Sequence, residues 1–261
     1  MQKSISLTES IILGCIGLIG FIGLWHGLSV SGLFPSVFLP SPIEVYDRFM
    51  VLLDRRFAGA TLPAHMLASF ERFAYGFILA AMIGIPLGLL MGWYQLLDEI
   101  VSPLFDALRF VAPIAWVPFA ALWFGTGIGG PIMIIFAGAF PPCVINAYRG
   151  AKFVDPRLIE AANMLGTPSH RVIREVLLPS SVPSIISGLR VSAGLGWQSL
   201  VGAELIVASA GVGYMMVQGQ ANIQTHTVMA GMVAIGLVGL ALDSALRLVE
   251  RIIQRRRGLD Q

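Results

Sequence analysis

The sequence predicts an all-α polytopic membrane protein with about six transmembrane helices. Three observations predict it. Of 261 residues, 56% are hydrophobic and only 12% are charged, where a soluble domain carries about 25% charged residues. The apolar residues gather in runs near the roughly 20 residues that cross a hydrocarbon core of about 30 Å. Glycine, 29 of 261, is enriched as it is where helices approach closely in lipid. The mean hydropathy of +0.79 agrees. A formal net charge of +2, with no basic stripe interleaved with aromatics, speaks against a nucleic-acid partner.

The first run, Ile11–Val30, is longer than the 7–15 residue core of a signal peptide and shows no small-residue cleavage site, so it reads as a retained helix. Residues 31–64 form a long loop. The second span, 73–92, is uncharged and places Gly84, Gly88 and Gly92 in small-xxx-small spacing. No charged residue occurs from Phe110 to Tyr148, and "GTGIGGP" at 125–131 divides this stretch into spans near 104–124 and 131–148. Pro113 and Pro118 are expected to bend or break the earlier one. A fifth span covers 184–207 and a sixth 227–249, with a loop or re-entrant element at 208–226. Cys15 and Cys143 lie inside apolar runs without metal-ligand spacing and read as small core residues.

Positive charge orients these spans. Arg149, Lys152, Arg157, Arg171 and Arg174 fall on the same side as Lys3 and as Arg251, Arg255, Arg256 and Arg257 in a six-helix count. Arg48, Arg55, Arg56 and Arg72 fall on the other. The positive-inside rule then makes both termini and the 149–182 segment cytoplasmic and the 31–64 loop periplasmic.

One stretch does not belong to a membrane core. Residues 160–179 read "EAANMLGTPSHRVIREVLLP", with Glu160, Arg171, Arg174 and Glu175 between apolar runs. Asp155 or Pro156 starts a helix there, and Gly166 supplies the left-handed residue that ends one. Thr167 with Pro168 is expected to open a second short helix, "SHRVIREVLL", that stops before Pro179. Ala161 and Ala162 leave a low surface beside Glu160, a shape suited to insertion into a groove on another protein.

That stretch resembles the EAA loop of ABC importer permeases: E-A-A, three residues, G, nine residues, then I-x-L-P. Glu160, Ala161, Ala162, Gly166, Leu178 and Pro179 match it, and Val176 replaces the isoleucine. Further segments, "LPSPIEV" at 39–45, "APIAWVPFAALWFG" at 112–125 and "GLRVSAGLGWQSLVGAELI" at 188–206, are similar to the nitrate/sulfonate/taurine branch, most of all to taurine and aliphatic sulfonate permeases. The resemblance implies a type I ABC importer permease fold with cytoplasmic coupling helices. It also implies a second copy of the chain, a cytoplasmic ABC ATPase dimer, a periplasmic or lipid-anchored solute-binding protein, and a place in the inner membrane of a bacterium. The chain carries no GxxxxGK[ST] phosphate loop, so it is expected to bind no cofactor, with ATP and Mg on the partner ATPase. The implied cargo is a small organic sulfonate or a related oxyanion such as nitrate.

Candidates for the translocation pathway are Trp116, Asn146, Trp197, Gln198 and Glu204, polar or aromatic groups inside or beside apolar spans. Trp197 and Glu204, seven residues apart, share a helix face, as do Trp116 and Trp123. Like charges repel, so Glu204 is expected to act protonated or through an arginine partner. His65, Ser69 and Arg72 form a polar stripe read as interfacial, near the docking surface for a binding protein. Arg190 reads as a snorkelling cation. The competing reading is a proton-coupled secondary transporter using Glu204. An intramembrane enzyme is disfavoured, because no Ser/His/Asp or HExxH constellation lies in an apolar span.

Overall fold

The computed structural model describes residues 7–125 and 127–256. Lys3 and Arg257, counted above toward orientation, and Thr126 of the 125–131 break lie outside the described residues. Among those described, five helices are long and apolar enough to cross a membrane, and a bent helix pair makes up to six. They are α1 (Leu7–Val30), α3 (Leu62–Trp93), α6 (Gly129–Lys152), α9 (Leu178–Val207) with its N-terminal extension, and α11 (Thr225–Arg256). Shorter helices α2 (Pro42–Asp54), α7 (Pro156–Met164) and α10 (Val212–Ala221) lie in the connections.

The centre is a three-helix sandwich of α3, α6 and α9. Gly76, Gly84, Gly88 and Gly92 meet Ile135, Cys143, Ala147 and Ala151 in step, so α3 and α6 run the same way. A Cβ on Gly88 would stand 2.3 Å from the Val144 carbonyl oxygen, so only glycine permits this backbone approach. The predicted small-residue stripe is therefore the α3–α6 seam. On the other face of α6, Gly138 meets Ser199 and Gly150 meets Ser181, so α9 runs antiparallel. Cys143 is buried in this sandwich with its Sγ 3.0 Å from Ser192 Oγ, while Cys15 is exposed on α1.

The span expected at 104–124 is not one helix. α4 (Gln95–Arg109) and the segment Pro113–Phe124, a 3-10 turn followed by α5 (Val117–Phe124), meet at 89°. Pro113 pushes Ala112 into extended backbone, φ −57° and ψ 138°, and cannot donate back to the preceding turn.

Around 160–179 the first helix is as expected. Asp155 caps α7 by accepting from the Arg157 N–H. Gly166, at φ +68°, ends it in a Schellman motif: Gly166 N–H donates to Asn163 O and Thr167 N–H to Ala162 O. The second helix departs from expectation. Pro168, not Thr167, is its N-cap, and it does not stop before Pro179. α8 (Ser169–Arg171), a π-helical stretch Val172–Leu177 and α9 form one rod over Ser169–Ile206. The wider π turns precede Pro179, whose missing N–H falls in the first turn of α9 where no such bond is needed.

Residues 31–64 also carry more structure than a loop. Ser41 and Glu44 form a reciprocal capping box with Pro42 at the first turn of α2. The apolar face of α2 buries Val45 and Leu52 against Leu62, Met215 and Ala234. The 208–226 segment contains α10, which buries Met215 and Met216 in the same cluster.

Candidate functional site

A cavity of about 610 Å³ opens between three walls. On α6 the wall follows one helix face, at spacings of four, four and three residues: Gly138, Pro142, Asn146 and Arg149. On α9 it is Val191, Leu195, Gln198, Ser199 and Gly202, again one face. The third wall is the hinge from Arg109 to Ile114, where the break after α4 turns the chain across the gap. The helix prolines and the 89° bend thus make the cavity: a straight α4–α5 span could not supply a wall of hinge backbone.

Two of the five pathway candidates, Asn146 and Gln198, line this cavity. Asn146 packs on Gly188 at the α6–α9 seam and donates from Nδ2 to Pro142 O at 2.9 Å, a bond within its own helix. Gln198 is exposed on the cavity wall. Trp116 lies instead in a smaller apolar pocket against Phe136 and Phe140. It begins an aromatic run with Phe119 and Trp123, centroids 6.1 and 5.9 Å apart.

Trp197 and Glu204 share a face, and it is not the cavity face. Trp197 is buried, edge-on to Phe73, with its indole N–H donating to Ile235 O at 3.1 Å across to α11. Glu204 is 1% exposed and joins the stripe at the start of α3. Ser69 Oγ lies 2.8 Å from both carboxylate oxygens, Arg72 Nη1 donates to Oε1 at 2.8 Å, and Gly213 N–H donates to Oε2 at 3.0 Å. Arg72 also donates to Ala210 O at 2.6 Å, and Ser69 Oγ accepts from Val212 N–H at 2.9 Å. His65 Nδ1 accepts from Gly211 N–H at 3.2 Å, which leaves Nε2 to donate to Phe57 O at 3.0 Å. The His65–Ser69–Arg72 stripe is therefore buried and not interfacial: it clamps α3 to α9 and to the turn that enters α10.

The arginine partner expected for Glu204 is Arg72. Each is a charge at the edge of an apolar run, and that complementarity is the signal in the sequence, although Glu71 stands beside Arg72. Arg190 is likewise paired rather than snorkelling, bonded to Asp243 at 2.7 Å and 3.5 Å from Glu250 on α11. Arg48, one of the cations that blur the charge asymmetry, donates to Thr227 at 2.8 Å and Gln224 at 3.0 Å. With Arg72 buried, two of the four opposing cations thus hold tertiary structure.

Sequence reasoning missed Arg109 and Arg149 as cavity residues. In the sequence Arg149 counts only toward orientation and Arg109 has no assigned role; the packing of the hinge against α6 brings both to the lining of one cavity.

At the end of the bundle that carries α7, the residues of the 160–179 stretch differ in exposure. Ala162 is buried, whereas Glu160 and Ala161 are exposed. Met164 is 87% and Leu165 84% exposed, and Leu158 and Phe153 are exposed as well. Val176 is half-buried, Leu178 is exposed at the root of α9, and Pro179 follows it half-buried.

Helices that sandwich closely, a proline-hinged cavity and an amphipathic segment projecting from one end define a membrane transport subunit. Residues 84–258 match the family described as binding-protein-dependent transport system inner membrane component, and the chain belongs to it. It is 32% identical over 246 residues to the taurine transport system permease protein of Escherichia coli, covering 94% of this chain and 90% of the relative. It is also 32% identical over 255 residues to the bicarbonate transport system permease protein of Synechococcus elongatus, covering 95% and 91%. Its fold is that of a chain in inward-facing structures of the MetNI methionine ABC transporter, with a TM-score of 0.61 over 74% of this chain and 95% of that one, at 20% identity. The protein is thus the multi-pass permease subunit of an ABC importer, a transport component and not an enzyme. Nothing supports the proton-coupled alternative, and Glu204 sits sealed in its ion pair, away from the cavity.

Proposed function

We propose that this chain moves a small organic sulfonate or a related oxyanion, taurine, nitrate or bicarbonate among them, inward across the cytoplasmic membrane. Relatives named for taurine and for bicarbonate stand at the same 32% identity, so the permease sequence constrains the cargo only to that class. The cavity wall bearing Asn146 and Gln198 is one side of the route, which a second copy of the chain completes. A periplasmic or lipid-anchored binding protein delivers the solute at the α10 end.

The observation that carries the coupling role is the exposed apolar edge of α7. Met164 and Leu165 are 87% and 84% exposed, on a segment flanked by Arg157, Arg171 and Arg174. Charges on both sides keep it out of lipid, and so much apolar surface exposed to water marks a protein contact. The occupant of this reading is the cytoplasmic ABC ATPase dimer, which holds ATP and Mg. Residues 149–182 are then the cytoplasmic coupling segment, 31–64 face the periplasm and both termini are cytoplasmic. Closure of the motors pushes on α7 and, through the continuous rod from Ser169, turns α9 along the cavity wall.

The test is co-purification with the ATPase, followed by ATP-dependent uptake with the binding protein in proteoliposomes. Gly166→Leu puts a side chain at φ +68°, which costs about 1–2 kcal/mol locally, and Glu160→Lys reverses an exposed charge. Both are expected to lower ATPase retention at least severalfold while membrane insertion is unchanged. Full assembly and uptake in both variants would remove the coupling role.

A further inference from the structure

We infer that Arg149 is the charge selector of the cavity: its guanidinium draws a small oxyanion toward the α7 end of the route. This deepens the proposed function and rests on it. The cavity lining contains two arginines and the neutral polar groups Asn146, Gln198 and Ser199, with no aspartate or glutamate. Such a wall attracts an anion and leaves a cation without a counter-charge.

The arrangement of nearby carboxylates sharpens the point. Asp98 and Asp106 line an adjoining pocket whose wall Arg109 and Arg149 share with the cavity, and both carboxylates are already neutralised. Asp98 is held there by Tyr148 at 2.7 Å and Lys152 at 3.0 Å, and Asp106 by Arg109 at 2.7 Å. Arg109 also lies over the Phe110 ring, 4.6 Å from its centroid, which fixes the guanidinium at the hinge. Arg149, in the last turn of α6, has no ion-pair partner among the described residues and lines both the cavity and that pocket. Of the two, Arg109 is anchored and Arg149 has its charge free for a passing ligand.

The polar groups are graded along the wall. Ser199 and Gln198 lie toward the hinge end of α9, Asn146 is one helical turn before Arg149, and Arg149 stands last. Neutral hydrogen-bond donors that hold an oxyanion weakly thus lead to a fixed positive charge. Transit requires attraction strong enough to admit the ion and weak enough to release it, and one free arginine per chain meets both demands. Even at about 12 Å, in a medium of effective dielectric about 20, a guanidinium changes an anion's occupancy by about tenfold.

The experiment uses the whole complex, with its ATPase and binding protein, in proteoliposomes. The probes are ethanesulfonate, which carries a net negative charge, and taurine, whose ammonium group cancels its sulfonate. Arg149→Gln is expected to lower ethanesulfonate uptake per ATP hydrolysed by about tenfold and taurine uptake by less than threefold. Arg149→Lys is expected to restore most of the loss, and Arg149→Glu to abolish ethanesulfonate uptake. The inference fails if wild type imports ethanesulfonate and Arg149→Gln does so equally well, or loses both probes equally. It fails too if ATP hydrolysis falls in parallel with uptake, since that assigns Arg149 to coupling. If the wild-type complex imports none of ethanesulfonate, taurine, nitrate and bicarbonate, the proposed cargo class itself is wrong.

Discussion

Replacing Glu204 with alanine removes the centre of the clamp at the α10 end. Arg72, 9% exposed in its side chain, would keep its charge without its carboxylate, and its Nε already has no partner. Gly213 N–H would lose its acceptor, and Ser69 would keep only the Val212 N–H. Breaking a buried pair by removing one member costs about 3–5 kcal/mol. At about 2–4 °C per kcal/mol for a chain of this size, the thermal midpoint in detergent should fall by roughly 6–20 °C. Arg72→Met should cost a comparable amount. The pair Arg72→Met with Glu204→Leu should recover at least half of either loss, because no buried charge is then left alone. The assay is thermal unfolding of the purified complex, followed by ATP-driven uptake at a temperature where all variants are folded. Single variants within a degree or two of wild type, or a double variant showing the sum of both losses, would refute the account of Glu204 as a structural anchor. Loss of uptake in the folded double variant would return Glu204 to the transport mechanism.

Two further predictions test the architecture. Gly88→Ala places a Cβ 2.3 Å from the Val144 carbonyl, so α3 and α6 must separate; a loss of about 1–3 kcal/mol is expected, read as a lower thermal midpoint, whereas Gly14→Ala, with open space around its Cβ, should change little. Ser41→Ala removes one half of the α2 capping box and should cost about 1 kcal/mol, seen as faster amide exchange confined to the first turn of α2.

Much of the membrane architecture is written in single elements, so it could be read locally. A run of apolar residues spans lipid whatever it packs against, because backbone groups in hydrocarbon must be satisfied within the helix. The Gly84–Gly88–Gly92 stripe, the Asp155 cap and the Gly166 stop depend on a few adjacent residues and appear where the pattern placed them. The α2 capping box was equally local; "SPIE" at 41–44 carried it, and only the polar loop around it hid the helix. Pro179 misled for the opposite reason. A proline ends a helix only if its missing N–H costs a bond, and the π turn before it removed that cost.

The site divides along the same line. Sequence alone determined that polar groups in apolar spans, Asn146, Gln198 and Glu204, needed partners or a watery cavity, because burying them bare is costly. Which of the two each received was decided only by tertiary packing. Residues 135 apart in the chain, Ser69 and Glu204, meet because α3 and α9 flank the same helix. Gln198 and Arg149 face the cavity because the hinge at Ala112–Pro113 swings α5 away by 89°. A helix face is fixed by spacing along the chain, but what lies opposite that face depends on the angles between helices, and no local pattern encodes those.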